Sequence, residues 1–415
     1  MSDIWKTWDE VKKICKDRKV VLWGRSEDWV PKTVPKFGFA KEQYIIDSNP
    51  AYKNAEFCGL PVFPPEKLEE EEKNDIYIVI TASVYESVSE QLVDMGYEPG
   101  VNFCCTPEIR DWGLLQEIRE YDKNVIVTCS DYSEKGKKRY SRLGGGIYVC
   151  NTRENELEKK IPGHFRQIVP VEENYFVVEY VEKRIYVLSK DLKKLDTLPL
   201  DPDNKHQEQP NGCGITYHPR LKQIFVANAG SDTINIYDQK NFKLIDTIHF
   251  SEKYNLSGNG QHHINDICIV GDNLYVSYFS ISGNWKRGVL DGGISEFNLN
   301  KLEKGHQQVV DGLWMPHSVE FFDGNLCYLD SMRGEFYIGN QKIAGKFHGF
   351  IRGLSFDGRF YYVGQSEDMY MGRLFGVSEN IMVNAGLYLF DVTTKVSRFY
   401  SFPFIMNIHD LMILP

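Results

Sequence analysis

Four side chains in this 415-residue sequence stand out by where they fall. Arg166, His317, Arg352 and His409 each open a short apolar segment, which a turn joins to a second one, and Cys213 and Asn265 open two more of the same kind. These residue types suit proton transfer on a held anion. Histidine exchanges protons near neutral pH, and a neighbouring aspartate or asparagine can complete an acid-base set. A guanidinium grips a carboxylate or phosphate through two parallel hydrogen bonds. Asp266, Ser318 and Asp410 directly follow three of the six openings, and Asp330 and Arg333 lie at the end of one second segment. The expected catalytic set is therefore His317, His409, Arg352, Arg166, Asn265, Asp330 and Arg333. In it the histidines exchange protons and the arginines fix an acidic group. A structural role stays open for each, because polar side chains commonly line a solvent-filled axis.

What would bring these residues together is the repeat itself. Six copies recur about every 49 residues, which suits four-stranded blades. They predict an all-β six-bladed β-propeller over residues 123–415, after a smaller α/β domain. The inner strands of a propeller begin at one mouth, so residues far apart in sequence become neighbours. The last copy, Ile405 to Leu414, is a lone strand. Asn124 to Cys129 and Gly145 to Cys150 can complete its blade, closing the ring and removing exposed sheet edges. The ends of the second strands place Glu179, Asn228, Asp330, Ser331, Arg333 and Gln365 on the same face. Three long loops there carry Tyr140, Arg142, Trp285, Lys286, Arg287 and Arg373, and long loops on a rigid scaffold often carry binding residues. His262 and His263 read equally as channel lining or as a loop pair.

Composition narrows the partners. A formal charge of -10 argues against nucleic acid or an anionic membrane as the main partner. There is no run of about 18 apolar residues, so no membrane span is expected. The nine cysteines are scattered and form no C-x-x-C pair, which argues against zinc of that type and favours a reducing cytoplasm. A metal at the mouth is disfavoured by its arginines. No G-x-S-x-G elbow supports nucleophilic hydrolysis.

Residues 1–122 alternate between helix and strand patterns. Lys19 to Trp23, Gln43 to Asp47 and Asp75 to Thr81 are short apolar strands, and a helix is expected over Val84 to Met95. The charged run Glu66 to Lys73 reads as a solvated helix face or loop. This alternation predicts a small Rossmann-like unit. The first turn, Gly24-Arg25-Ser26-Glu27-Asp28, keeps one glycine of the dinucleotide fingerprint, and Asp47 lies at a suitable distance for a ribose. Glu27 and Asp28 would repel phosphates. The candidate cofactor residues are thus Gly24, Arg25 and Asp47, for a nucleotide or nucleotide sugar, with a purely structural or docking domain as the alternative.

Two resemblances extend these readings. Val21-Leu-Trp-Gly24, Ile45 to Pro50, Gly59 to Leu68 and Ile78 to Thr81 resemble small Rossmann-like domains attached to bacterial glycan-modifying enzymes, including sugar O-acyltransferases and sugar methyltransferases. That resemblance implies glycan or nucleotide-sugar metabolism. Met315 to Val319, Asp330 to Glu335 and Phe350 to Arg359 resemble a bacterial propeller family of unknown function, over roughly residues 124–415. It implies a fold and no activity. The combined expectation is a cytoplasmic protein whose propeller mouth binds a polar anionic small molecule or glycan. Its chemistry would be of epimerase, lyase or lactonase type. The alternative is a non-catalytic binding or scaffold protein for a glycan or a protein partner.

Overall fold

The computed structural model describes residues 4–38, 43–137, 139–200, 212–253, 259–339, 342–367 and 384–414. The chain divides into two compact units, Met1–Arg119 and Glu120–Pro415. Among the described residues no helix is long and apolar enough to cross a membrane.

The first unit opens with helix α1 (Trp8–Ile14), started by a capping box in which Thr7 and Glu10 satisfy each other's backbone N–H groups. Its strands are β1 (Lys19–Trp23), β2 (Gln43–Ile46), β3 (Glu56–Phe57), β4 (Leu60–Phe63), β5 (Ile76–Ile80) and β6 (Phe103–Cys105). They form one mixed sheet in the order β3-β4-β2-β1-β5-β6, parallel except for the β3-β4 hairpin. Successive residues feed opposite faces. Val21, Trp23, Ile78 and Ile80 join one buried cluster, while Val20, Leu22, Tyr77 and Val79 join another. That two-sided burial explains why β1 and β5 lack the apolar-polar alternation of a one-sided sheet.

The second unit is a six-bladed propeller of four-stranded antiparallel sheets. We number the blades by their inner strands: Phe165–Val171, Gly212–His218, Ile264–Val270, His317–Phe322, Phe350–Phe356 and Ile408–Ile413 for blades 1 to 6. Each inner strand packs against the next, and that of blade 6 packs against that of blade 1, which completes the ring. Blade 6 joins the C-terminal strand Ile408–Ile413 to Asn124–Cys129, Gly146–Asn151 and Glu156–Pro162. The closure expected from the lone last repeat is therefore present. Buried clusters lie between adjacent sheets, such as the one uniting Phe225, Ala227 and Ile234 of blade 2 with Ile264, Ile267 and Leu274 of blade 3.

All six inner strands slip register near their first residues. The shifts fall between Phe165 and Ile168, Gly212 and Ile215, Ile264 and Ile267, His317 and Glu320, Ile351 and Leu354, and Ile408 and Asp410. A bulge leaves a backbone N–H without its ladder partner and re-aims the side chains around it. Here side chains of neighbouring blades supply the partners. Asp410 accepts from Ile168 N (3.0 Å), Gln167 from Ile215 N (2.9 Å), Asp266 from Ser318 N (2.6 Å) and Ser318 Oγ from Gly353 N (2.8 Å). The residue after the opening residue thus stitches blade to blade in blades 1, 3, 4 and 6, whereas blade 5 has Gly353 in that place. Blade 2 has Gly214 there, where a Cβ would lie 2.4 Å from the Asn265 carbonyl oxygen and 3.0 Å from Gln167 Oε1.

Candidate functional site

The bulges deliver their polar residues to one mouth. A cavity of about 100 Å³ is lined by Arg166, Cys213, Asn265, His317 and Arg352 from the inner strands. It is completed by Arg139, Tyr180, Ala229, His263, Phe279 and Phe350. Five of the six aligned opening residues therefore meet at this cavity, although up to 186 residues separate them in sequence (Arg166 to Arg352).

The sixth, His409, does not line the cavity and instead contacts its arginines. Its Nδ1 accepts from Arg166 Nη1 (3.0 Å) and from Arg352 Nη1 (2.8 Å). Guanidinium nitrogens can only donate, so the ring proton sits on Nε2, which lies 2.6 Å from Ser130 Oγ. Burial, then Arg166 and Arg352, hold the His409 pKa well below its ordinary 6.5. A neutral acceptor between two cations aligns them without cancelling their charge. Proton exchange by His409, as expected from sequence, would require this clamp to open.

His317 faces the cavity in a fixed tautomer. Its Nδ1–H donates to the Met315 carbonyl (2.9 Å), with Ser331 Oγ at 2.8 Å, so Nε2 is the unprotonated nitrogen. Phe279 and Phe350 pack on the ring. Burial, then Arg352 and His263, keep His317 neutral well below its usual range. Arg166 stacks on Tyr180 with its guanidinium 4.4 Å from the ring centre. Its Nε is buried and has no hydrogen-bond partner among the described residues.

Asp330 and Arg333 lie elsewhere. Asp330 accepts from Trp314 N (3.1 Å) and from Arg333 Nη1 (3.1 Å), and Arg333 also reaches the Gly312 carbonyl (3.0 Å). Both are committed to the Trp314 turn and neither lines the cavity. The second-strand ends Glu179 and Asn228 likewise miss it, and their successors Tyr180 and Ala229 reach it. Alternation along a strand turns adjacent side chains to opposite sides, so a one-residue offset selects a different set. Of the loop residues, Arg142 lies over Phe404, Trp285 packs on His263, and Arg373 falls outside the described residues. Arg139, in the first of those loops, is the one that lines the cavity. Its flanking cluster of basic residues signals a loop but not which side chain turns inward.

In the first unit Gly24, Arg25 and Asp47 do come together, and they engage one another. Arg25 N donates to Asp47 Oδ2 (2.7 Å), while Asp47 Oδ1 accepts from Asn49 N (2.8 Å). The Arg25 guanidinium lies 4.4 Å from the centre of the Tyr52 ring and 4.1 Å from that of Phe57. Gly24 has φ +109°, and a Cβ there would stand 2.6 Å from the Cβ of Ala82, so glycine serves chain packing. Among the described residues of the whole chain, no group of three or more His, Cys, Asp or Glu side chains could hold a metal ion.

Beyond the arginines the axis turns acidic. A second cavity of about 130 Å³ is lined by Gln167, Glu320 and Asp410 among others. Burial, reinforced by Asp266, raises Glu320 to about 8, and burial raises Asp266 to about 6. Folded Glu320 thus keeps its proton up to a pH of about 8, whereas the unfolded chain releases it near 4.5. The folded state binds more protons across that window, so this group's contribution to stability falls as pH rises through it. Glu320→Gln should therefore gain on the native chain in stability as pH rises from 5 to 8, by up to about 1.4 kcal/mol per pH unit, with the gap shrinking again toward pH 5. Urea unfolding at several pH values checks this, and a gap independent of pH would contradict it.

No curated protein matches the sequence. Solved structures that align include a chain of a nidogen/laminin complex, 12% identical, covering 71% of this chain and 99% of its own, with TM-score 0.47. A protein of unknown function from Bacteroides caccae is 13% identical, covers 71% and 99%, and has TM-score 0.45. Regucalcin, a calcium-binding protein from Agrobacterium tumefaciens, is 11% identical, covers 56% and 72%, and has TM-score 0.40. Assignment of the propeller rests on its own strand pairing. Residues 211–415 match the model of DUF4915, a domain of unknown function, a narrower span than the resemblance over residues 124–415.

Proposed function

We propose that the propeller mouth is the functional site, that it binds a small anionic molecule of carbohydrate or nucleotide-sugar metabolism, and that His317 serves there as a proton acceptor. One observation carries this reading: Arg139, Arg166 and Arg352 converge on a single cavity whose described lining includes no aspartate or glutamate. A carboxylate or phosphate is the ligand chemistry that three guanidinium groups favour. The neutral Nε2 of His317 at the same cavity suits removal of a proton from the bound ligand, as epimerase, lyase and lactonase chemistry requires. The carbohydrate part of the reading rests on the resemblance of the first unit, which we take as Rossmann-like. We assign no ligand chemistry to Gly24, Arg25 and Asp47, which engage one another and their neighbours. A cytoplasmic location accords with nine free cysteines.

The test is thermal unfolding of the full chain with sugar acids, sugar phosphates and nucleotide sugars. A ligand at 100 times its Kd adds about 2.7 kcal/mol, a rise of roughly 5 °C in Tm. Arg166→Gln should abolish the rise. Absence of any shift across the panel, or a full shift in Arg166→Gln, would overturn the proposal.

A further inference from the structure

His262 and His263 are adjacent in sequence and opposite in use. His262 commits both ring nitrogens to the fold: Nδ1–H donates to the Ser280 carbonyl (2.9 Å), and Nε2 lies 2.6 Å from Ser251 Oγ. Its main-chain N–H also donates to Asp232 (2.8 Å). His263 commits neither. Among the described residues its ring has no hydrogen-bond partner, although it lines the arginine cavity and packs on Phe279 (4.3 Å) and Trp285 (4.8 Å). Its backbone is left-handed, φ +53°, a conformation few non-glycine residues adopt and one that concentrates at functional sites. Burial, then Arg166, Lys286 and Arg352, bring its pKa down to about 3, so the ring is neutral.

The mouth is therefore two-sided. Blades 5, 6 and 1 supply Arg352, Arg139 and Arg166, while blades 3 and 4 supply His263, Asn265 and His317. In a six-membered ring blades 3 and 4 lie across the axis from blades 6 and 1. Phe279 touches both imidazoles and holds them as one wall. One wall carries positive charge, and the other presents neutral nitrogens, including the acceptor Nε2 of His317. A bare anion would use only the first wall. At about 100 Å³ the cavity equals about three water volumes, room for an acid group and the one or two carbons next to it.

We infer that His263 is a ligand-contacting residue of this site and forms, with His317, its hydroxyl-reading wall, so that the bound anion is a hydroxy acid with a hydroxyl next to its carboxylate. The inference rests on the anion site proposed above and adds a second recognition element to it. Polar groups built to pair with a ligand hydroxyl discriminate against the analogue that lacks it, because they are then left unpaired.

Calorimetric titration of the full chain with glycerate, propionate and glycerol separates the two claims. These probes share three carbons and differ in the acid group and the hydroxyls. Glycerate is expected to bind at least tenfold more tightly than propionate, with glycerol showing no binding. His263→Phe keeps the packing on Phe279 and Trp285 but removes both nitrogens, and should weaken glycerate about tenfold while leaving propionate unchanged. If that variant fails to fold, His263→Asn, suited to the left-handed backbone, should show the same loss. Equal binding of glycerate and propionate to the native chain would overturn the hydroxyl wall and leave the anion site standing. Native discrimination that persists undiminished in the His263 variants would overturn the role of His263. Binding of neither acid would overturn the hydroxy-acid inference, and the thermal-unfolding panel with sugar phosphates and nucleotide sugars then decides the anion site by itself.

Discussion

Removal of residues 405 to 415 should leave the propeller without a cooperative unfolding transition. The C-terminal strand Ile408–Ile413 is the innermost strand of blade 6 and pairs with Asn124–Cys129, some 280 residues earlier in the chain (Ile408 opposite Cys129, Asp410 opposite Thr128). Its anchors come from three directions. Asp131, 1% exposed, accepts from Met406 N (2.6 Å) and Asn407 N (3.1 Å) and from the Asn407 side chain (2.9 Å). Ser366 of blade 5 accepts from Ile408 N (3.0 Å), and Asp410 accepts from Ile168 N of blade 1 (3.0 Å). Truncation would break a six-residue ladder, orphan the Asp131 carboxylate and expose the faces of blades 5 and 1. Burying unpaired polar groups costs about 1–3 kcal/mol each, and the whole domain has a net stability of about 5–15 kcal/mol. Together with the exposed apolar faces, these losses are comparable to the whole stability of a domain of this kind. Far-UV circular dichroism during urea titration is the measurement, and a truncated chain melting near the native midpoint would contradict ring closure by this strand.

Replacement of His409 should have the next largest effect, on folding and binding together. His409→Leu removes the acceptor shared by Arg166 and Arg352, leaves two guanidinium groups side by side and costs about 2–4 kcal/mol. Anion binding at the mouth should be lost. His409→Gln retains an acceptor and should recover much of the stability. His409→Glu should also fold, yet bind anions weakly, because its charge offsets that of the arginines. A pH signature isolates the native histidine. Its folded pKa lies well below 6.5, so above 6.5 its contribution is complete. As pH falls below 6.5 the unfolded chain takes up the proton first, and this group's contribution declines by up to about 1.4 kcal/mol per pH unit. The stability difference between the native chain and His409→Gln should therefore shrink between pH 7.5 and 5. A difference constant over that range would show that His409 is not held neutral.

The offsets between expectation and structure have local causes. The opening residues of the repeats were readable because blades share one register, so aligning copies aligned positions at the mouth. Register alone does not say how a side chain is used. His409 satisfied the alignment as well as His317 did, yet it sits behind Arg166 and Arg352, where a neutral ring is the acceptor that both can share. Asp330 and Arg333 belong to a distinctive motif and serve the turn at Trp314. His263 could not be separated from His262 by sequence, since the left-handed φ that sends the two rings different ways is a property of the folded loop. Gly24 and Asp47 kept a spacing associated with nucleotides, but contact with Ala82 and the pairing of Arg25 with Asp47 account for both.

The sequence by itself determined the repeat, the number of blades and the strand that closes the ring. Those follow from the period of apolar and turn residues, which local chain geometry dictates. It also determined that arginine and histidine gather at one mouth, because equivalent positions in a closed ring must meet. Only the tertiary structure decided which histidine faces the cavity, which clamps the arginines and which carboxyls stitch the blades. Those roles depend on bulges, tautomers and burial, set by neighbours that are distant in the chain.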